Sequence, residues 1–350
     1  MFQENVWMER CLELARLGSG KVAPNPMVGA VVVAHGKIIG EGWHHQFGMA
    51  HAEVNAIENV KDKSLLKEAV LYVNLEPCFH YGKTPPCANL IIAHNIPEVV
   101  VGMRDPNPLV AGKGVELLRN AGIKVSVGVL EDKCLALNKR FICSYTKHRP
   151  YVILKWAQTL NGFLSPDATK MSKEQFEKER HITGFLVQKL VHKWRTQEDA
   201  IMVATHTVEL DNPALDARAW EGRAPARVVL DQKLRLPLDL KVFNAPQKTF
   251  IVNGSKDLIK DNLHYLKVDF SSDWLAQMLA KLHHERVQSL VIEGGAKLLN
   301  TVVEQLLWDE AIVFYSPKHI STGVVAPTIG GSLGEQEEID GVKMRQYFNL

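Results

Sequence analysis

No stretch of this chain reaches the roughly 18 consecutive apolar residues that a membrane-spanning helix needs, so a role within a bilayer is not expected. The opening residues, Met1-Phe2-Gln3-Glu4-Asn5, lack a basic segment followed by an apolar one, and no secretory leader is read there. Charge of one sign is missing too: 41 lysines and arginines stand against 39 aspartates and glutamates. A net charge of +2 implies no broad polyanion-binding surface, although a local basic pocket is compatible with it. Aromatics are 7% of the residues, too few to suggest a base-stacking surface for nucleic acid. The five cysteines are odd in number and scattered, which argues against a disulfide framework and for a reducing cytoplasm. Cys11, Cys134 and Cys143 lie in helical-looking segments and read as small buried hydrophobes. No G-x-G-x-x-G follows a strand, which disfavours a Rossmann dinucleotide site. There is no internal repeat and no long low-complexity segment.

What is present is a globular composition, 46% hydrophobic and 23% charged, over 350 residues. That length exceeds one ordinary core and fits two domains. Trp7, Cys11, Leu14 and Ala15 mark one face of a first helix, which Gly18-Ser19-Gly20 ends. Residues 28–33 and 37–42 read as a hairpin across His35-Gly36. A helix from about 51, a strand at 69–73, a helix opened by Pro85-Pro86, a strand at 99–101, a helix from 113, a strand at 124–127 and a helix over about 130–144 follow. This pattern predicts a three-layer α/β unit. The polar segment 145–150 ends in Pro150, so a boundary is expected there, with domains at 1–146 and 147–350. The second domain alternates again: strands at 151–154, 200–204, 228–230, 250–252, 289–292 and 312–315, with helices at 185–194 and 274–282.

The chemistry-bearing constellation lies in the first domain. His51-Ala52-Glu53 precedes Pro77-Cys78, and Cys87 follows. One imidazole and two thiolates suit tetrahedral zinc with a fourth position left open, the arrangement of catalytic rather than structural sites. Zinc deaminases use this inventory, with a glutamate two residues beyond the histidine as the proton carrier. His51 is expected just ahead of a helix and Cys87 two residues into one, where the helix dipole favours a thiolate. The eight residues between Cys78 and Cys87 depart from the generic P-C-x-x-C spacing and must loop out. H-x-E by itself is common by chance, and a non-catalytic zinc module or a nucleic-acid-editing deaminase would share these residues. The first should close the site with a fourth ligand, for which His80 is the only nearby candidate; the second should carry a basic, aromatic-rich surface.

Longer strings bring a family into view. Pro24-Asn25-Pro26-Met27-Val28-Gly29, Gly42-Trp43-His44, His51-Ala52-Glu53-Val54-Asn55-Ala56, the run from Leu75-Glu76-Pro77-Cys78 to Pro85-Pro86-Cys87, and Asp105-Pro106-Asn107-Pro108 closely resemble the deaminase half of the RibD family of bifunctional riboflavin-biosynthesis enzymes. That family shows the long cysteine spacing. Lys155-Trp156-Ala157-Gln158, Val191-His192-Lys193-Trp194-Arg195, Thr207-Val208-Glu209-Leu210-Asp211-Asn212-Pro213 and Glu293-Gly294-Gly295-Ala296 resemble its reductase half. Departures are Phe79 after the first ligand cysteine, Thr159 and Asn161 in the family's Ser-Leu-Asp-Gly turn, His181 where a tryptophan is usual, and a missing glycine within residues 203–207.

The resemblance implies a cytidine-deaminase-like domain followed by a dihydrofolate-reductase-like α/β domain. It implies one zinc on His51, Cys78 and Cys87, with Glu53 catalytic, and a substrate pocket lined by Asn25, His44, His80, Lys83, Thr84, Asp105 and Asn107. Only one of His44 and His45 can face that pocket if the segment is extended. For the second half it implies NADPH as hydride donor, with Arg195, Leu215, Arg218 and Glu293 toward substrate. Lys155, Ala157, His181, Thr207, Asp211, Gly294 and Gly295 are implied toward the cofactor. Without the resemblance, the glycine pair reads as an ordinary helix-start turn rather than a phosphate site. The implied partners are phosphorylated pyrimidines and further copies of the chain, with no nucleic acid and no membrane.

Overall fold

The computed structural model describes residues 2–79, 85–108, 110–244 and 246–349. It divides into two compact units, residues 1–148 and 149–350.

The first unit runs α1 (Phe2–Arg16), β1 (Gly29–Ala34), β2 (Lys37–Trp43), α2 (Ala52–Glu58), β3 (Val70–Leu75), α3 (Cys87–Ala93), β4 (Glu98–Met103), α4 (Lys113–Asn120), β5 (Lys124–Val127), α5 (Glu131–Leu137) and α6 (Lys139–Lys147). Its sheet has the order β2-β1-β3-β4-β5. β1 pairs antiparallel with β2 and β3, while β3, β4 and β5 are parallel. β1 is buried along its whole length because alternate side chains meet different helices. Ala30 and Val32 pack with Ala56, Ile57, Ile91 and Leu118 of α2, α3 and α4. Val31 and Val33 pack with Met8, Cys11, Leu12 and Cys134 of α1 and α5. Helices therefore cover both faces, the expected three layers.

The helix expected over 130–144 is two helices, broken at Asn138. Asn138 is 2% exposed, and its side chain is occupied elsewhere: Oδ1 accepts from Met27 N at 2.8 Å and Nδ2 donates to Met27 O at 3.0 Å. A tertiary contact overrides the local helical pattern. α6 continues to Lys147 and ends on His148 in the left-handed conformation. Arg149 belongs to the next unit, where it makes a bidentate pair with buried Asp309 at 2.6 and 2.8 Å. The division thus falls two residues beyond the expected boundary.

The second unit runs β6 (Tyr151–Thr159), β7 (Phe163–Pro166), α7 (Lys173–Glu179), α8 (Phe185–Arg195), β8 (Ala200–Ala204), α9 (Thr205–Asp211), β9 (Ala226–Leu230), β10 (Thr249–Asn253), β11 (Leu258–Lys260), β12 (Leu263–Lys267), α10 (Trp274–His284), β13 (Ser289–Ile292), α11 (Ala296–Glu304), β14 (Glu310–Ser316), β15 (Gly323–Val325), β16 (Ser332–Ile339) and β17 (Val342–Phe348). The main sheet is ordered β11-β12-β10-β9-β8-β13-β6-β14-β17-β16, parallel from β12 to β14 and antiparallel at both edges. One face packs Val152, Leu154, Met202, Phe250 and Ile292 against Leu275, Leu279 and Leu299 of α10 and α11. The expected strand at 312–315 is followed by the hairpin β16–β17, which periodicity did not reveal. β16 reads Ser-Leu-Gly-Glu-Gln-Glu-Glu-Ile and is largely exposed, a charged edge strand with little apolar signal. Thr159 and Asn161, two of the departures, serve the β6–β7 turn: Thr159 Oγ1 accepts from Phe163 N at 3.0 Å, and Asn161 Nδ2 donates to Ile320 O at 2.7 Å.

Candidate active sites

The end of β2, the start of α2, the end of β3 and the loop after β4 enclose a cavity of about 240 Å³ in the first unit. His51 is the N-cap of α2, and Cys87 is the first residue of α3 with Pro86 as its cap, one position earlier in the helix than expected. Cys78 lies on the segment after β3. Nδ1 of His51 stands 3.6 Å from Cys78 Sγ and 3.3 Å from Cys87 Sγ, and all three donor atoms lie within 4.8 Å of one another. A tetrahedral centre with zinc's bond lengths holds a nitrogen and a sulfur about 3.6 Å apart, so the spacing and the donor chemistry both fit that ion. Among the described residues no fourth His, Cys, Asp or Glu joins the cluster. His80, Lys83 and Thr84 lie outside the described residues.

Glu53 is 4% exposed and lines the same cavity. Burial, reinforced by the Cys78 sulfur, holds its carboxyl up at about 7. The two sulfurs titrate as a pair. The hydrogen bond from Cys87, followed by that from His51, holds Cys78 well below the usual thiol range, and the same bond pushes Cys87 up. The Cys87 backbone N–H also donates to Cys78 Sγ at 3.3 Å.

Of the pair His44-His45, His44 faces the cavity, 2% exposed, while His45 lies over the Trp43 ring at 4.2 Å. The hydrogen bonds of His44 fix its tautomer. Nδ1 donates to Ala50 O at 3.0 Å, since a carbonyl only accepts, and Nε2 therefore accepts from Asn25 Nδ2 at 3.1 Å. Burial pushes the His44 pKa down, in keeping with a neutral ring. With its amide nitrogen committed to His44, Asn25 has its carbonyl oxygen left as an acceptor. Asp105 and Asn107 also line the cavity, in an Asx turn closed by Asn107 N donating to Asp105 Oδ1 at 2.8 Å.

Several contributors were not singled out in the sequence. Glu76, 4% exposed, accepts backbone N–H groups from Asp105 (3.2 Å), Gly112 (2.9 Å) and Val115 (3.1 Å), and so holds the loop that carries Asp105 and Asn107. Asn74 and Asn138 both grip Met27, and Asn74 Oδ1 accepts from Gly29 N at 2.8 Å, which positions Asn25. Phe141 and Tyr145 of α6 form an aromatic wall. A polar residue within an apolar run is a signal that could have found Asn74 in β3 and Asn138 in the helical pattern, whereas Glu76, just after β3, carries no such signal.

In the second unit, Lys155 of β6, Arg195 at the end of α8 and Glu293 just after β13 meet. Arg195 Nη2 donates to Glu293 Oε2 at 2.8 Å and its Nη1 to Asp216 O at 3.0 Å, while Lys155 Nζ stands 3.9 Å from Glu293 Oε1. Burial raises the Glu293 pKa, but Arg195 and then Lys155 outweigh it and hold the carboxyl at about 2. For Lys155 the balance reverses: burial lowers its pKa more than Glu293 raises it. Arg218 is apart from this trio, largely exposed and paired with Asp216 at 2.6 Å. Leu215 is 3% exposed and packs with Ile201, Val203 and Val208 in the core.

A cleft of about 840 Å³ opens at the C-terminal ends of β8 and β9 and the start of α11. Gly295 lines it with a φ of 56°, a conformation suited to glycine. Gly294 is needed for close approach, because a Cβ there would stand 2.9 Å from Val203 Cα. Thr207 borders Gly295: its Oγ1 would lie 3.5 Å from a Cβ at that glycine. Lys155, Ala157, His181 and Asp211 do not line the cleft. Ala157 packs beside Phe314, Asp211 pairs with Arg180, and the His181 carbonyl accepts from Lys318 Nζ at 2.8 Å.

Residues 1–103 match the cytidine and deoxycytidylate deaminase zinc-binding region, and residues 150–347 match the RibD C-terminal domain. The riboflavin biosynthesis protein RibD of Aquifex aeolicus is 39% identical over 346 residues, covering 97% of this chain and 93% of that protein. The chain belongs to the RibD family. RibD of Escherichia coli is 33% identical, covering 90% of this chain and 88% of that protein. The crystal structure of the Thermotoga maritima diaminohydroxyphosphoribosylaminopyrimidine deaminase/5-amino-6-(5-phosphoribosylamino)uracil reductase superposes with a TM-score of 0.88 at 37% identity, covering 100% of this chain and 99% of that one. Like other RibD proteins, the chain is a bifunctional deaminase and reductase of riboflavin biosynthesis, with a cytidine-deaminase-like unit followed by a dihydrofolate-reductase-like one.

Proposed function

We propose that the first unit removes the exocyclic amine from 2,5-diamino-6-(5-phosphoribosylamino)pyrimidin-4(3H)-one, and that the second reduces the ribosyl chain of the resulting 5-amino-6-(5-phosphoribosylamino)uracil to ribityl. His51, Cys78 and Cys87 hold one zinc ion. Zinc supplies Lewis acidity that makes water nucleophilic near neutral pH. Glu53 takes a proton from water as its oxygen attacks the carbon bearing the amine and passes that proton to the ring nitrogen; it then takes the remaining proton of the added hydroxyl and delivers it to the amine, which leaves as ammonia as the carbonyl forms. One carboxyl serves each step because its proton partner changes. The Asn25 carbonyl, oriented by neutral His44, accepts from an N–H on the heterocycle edge. Phe141 and Tyr145 flank the ring, and Asp105 and Asn107 meet the ribose hydroxyls. His80, Lys83 and Thr84 are assigned to the phosphate on the family resemblance alone.

The second unit would hold NADPH, which would supply a hydride to C1′ of the ribosylamino group as the C1′–O4′ bond opens and the ring oxygen takes up a proton. The cleft at the strand ends suits a dinucleotide: its floor is the glycine-bearing start of α11, where backbone N–H groups favour phosphate. Lys155, Arg195 and Glu293 form a charged cluster for the substrate, with Arg218 reaching its phosphate. The reading also includes self-association and a cytoplasmic location, the latter in keeping with five free cysteines.

The observation that carries this reading is the meeting of His51, Cys78 and Cys87 at zinc-ligand separations, in a cavity shared with buried Glu53. The test supplies the diaminopyrimidine phosphate with and without NADPH and identifies products by mass. Without NADPH, only the aminouracil phosphate and ammonia are expected; with it, the ribityl product. Unchanged substrate in the zinc-loaded protein refutes the reading.

A further inference from the structure

The rim of the second unit's cleft has a lopsided charge. Lys233 and Arg235, just after β9, and Lys297, in the first turn of α11, line it together with His206. Among the described residues the only carboxylate in the lining is Asp231, which is 2% exposed and turned inward. Its two oxygens accept the backbone N–H groups of Arg235 at 3.1 Å and Leu236 at 3.0 Å. Arg235 is itself committed to Glu209, at 3.1 Å. Lys233 and Lys297 are exposed, and among the described residues neither ammonium has a carboxylate at ion-pair distance. Two unneutralised ammonium groups from different elements therefore face one cleft, in a chain whose total charge is close to balanced.

We propose that Lys233 and Lys297 read the 2′-phosphate that distinguishes NADPH from NADH. The inference rests on the reading that this cleft holds the dinucleotide. Gly295 at the helix start marks the place of the pyrophosphate, and the 2′-phosphate, the one further charged group of the cofactor, falls toward the basic rim. Ammonium groups bind such a dianion as point charges, so the contact favours NADPH without demanding bidentate geometry. Among the described residues the ion-pair partners of Glu293 are Lys155 and Arg195 and neither Lys233 nor Lys297, so the role of these two lysines is cofactor choice and not hydride transfer.

The experiment measures NADP+ and NAD+ binding to the full chain by titration calorimetry, for the native protein and for Lys233→Ala/Lys297→Ala, with circular dichroism as the folding check. The double variant is expected to bind NADP+ about tenfold or more weakly, as loss of charge-assisted contacts predicts. NAD+ affinity should stay within about twofold, and Lys233→Arg/Lys297→Arg should restore the preference. Equal weakening toward both dinucleotides, or no weakening toward either in a folded variant, overturns the assignment while native NADP+ binding leaves the cofactor reading standing. Failure of the native chain to bind NADP+ overturns both.

Discussion

Glu53 shows how much a single side chain draws from its surroundings. A carboxyl 4% exposed and held up at about 7 exchanges protons near neutrality, which an exposed glutamate does not. Glu53→Gln preserves size and burial but removes the proton carrier. It should keep stoichiometric zinc, measured by metal analysis, and lose ammonia release by at least about 100-fold, the scale of general acid–base catalysis. Cys78→Ser tests a different property. Serine offers no soft thiolate, so zinc content and ammonia release should fall together; a fully metallated, active variant would contradict the ligand assignment. His51-x-Glu53 is common by chance, and it was legible in the sequence only through its order with Pro77-Cys78 and Cys87 and through the longer strings around them. Leu215 was named on the family resemblance alone, and its side chain lies among core residues.

At the scale of elements, loops are aimed by buried polar side chains that periodicity does not report. Glu76 terminates three backbone N–H groups of the 105–115 segment. Glu76→Ala should cost about 3 kcal/mol or more in urea unfolding, since several charge-assisted bonds vanish and donors are left buried. It should also raise KM for the pyrimidine while zinc content is unchanged, because Asp105 and Asn107 lose their support. Glu293 gives a pH dependence with a definite sign. Its folded pKa of about 2 lies below the value near 4.3 of an unfolded chain, so its contribution, about 3 kcal/mol, is fully present above pH 5. That contribution declines as pH falls through the unfolded value and is lost below about 2. By pH 3 about 2 kcal/mol should be gone, so urea midpoints should drop more steeply on acidification for the native chain than for Glu293→Gln.

For the whole molecule, each unit has its own core and its own candidate site, so the two chemical steps should be separable. Native protein given the diaminopyrimidine phosphate should oxidise NADPH, and Glu53→Gln given the same compound should not. Supplying the deaminated aminouracil phosphate to Glu53→Gln should restore NADPH oxidation to the native rate, followed at 340 nm, a standard wavelength for NADPH loss. A defect that persists with the deaminated compound would mean that Glu53 also serves the second step.

The sequence alone determined the alternation of helices and strands, the approximate division of the chain and the inventory of zinc ligands. These depend on local periodicity and on rare residues in a fixed order, and both are written along one dimension. Tertiary structure decided the break at Asn138, the support of the 105–115 loop by Glu76, the choice of His44 over His45, and the gathering of Lys155, Arg195 and Glu293 from three distant segments. Each of these depends on which buried polar group finds a partner across space, and the free-energy cost of leaving such a group unpaired outweighs any local preference of the chain.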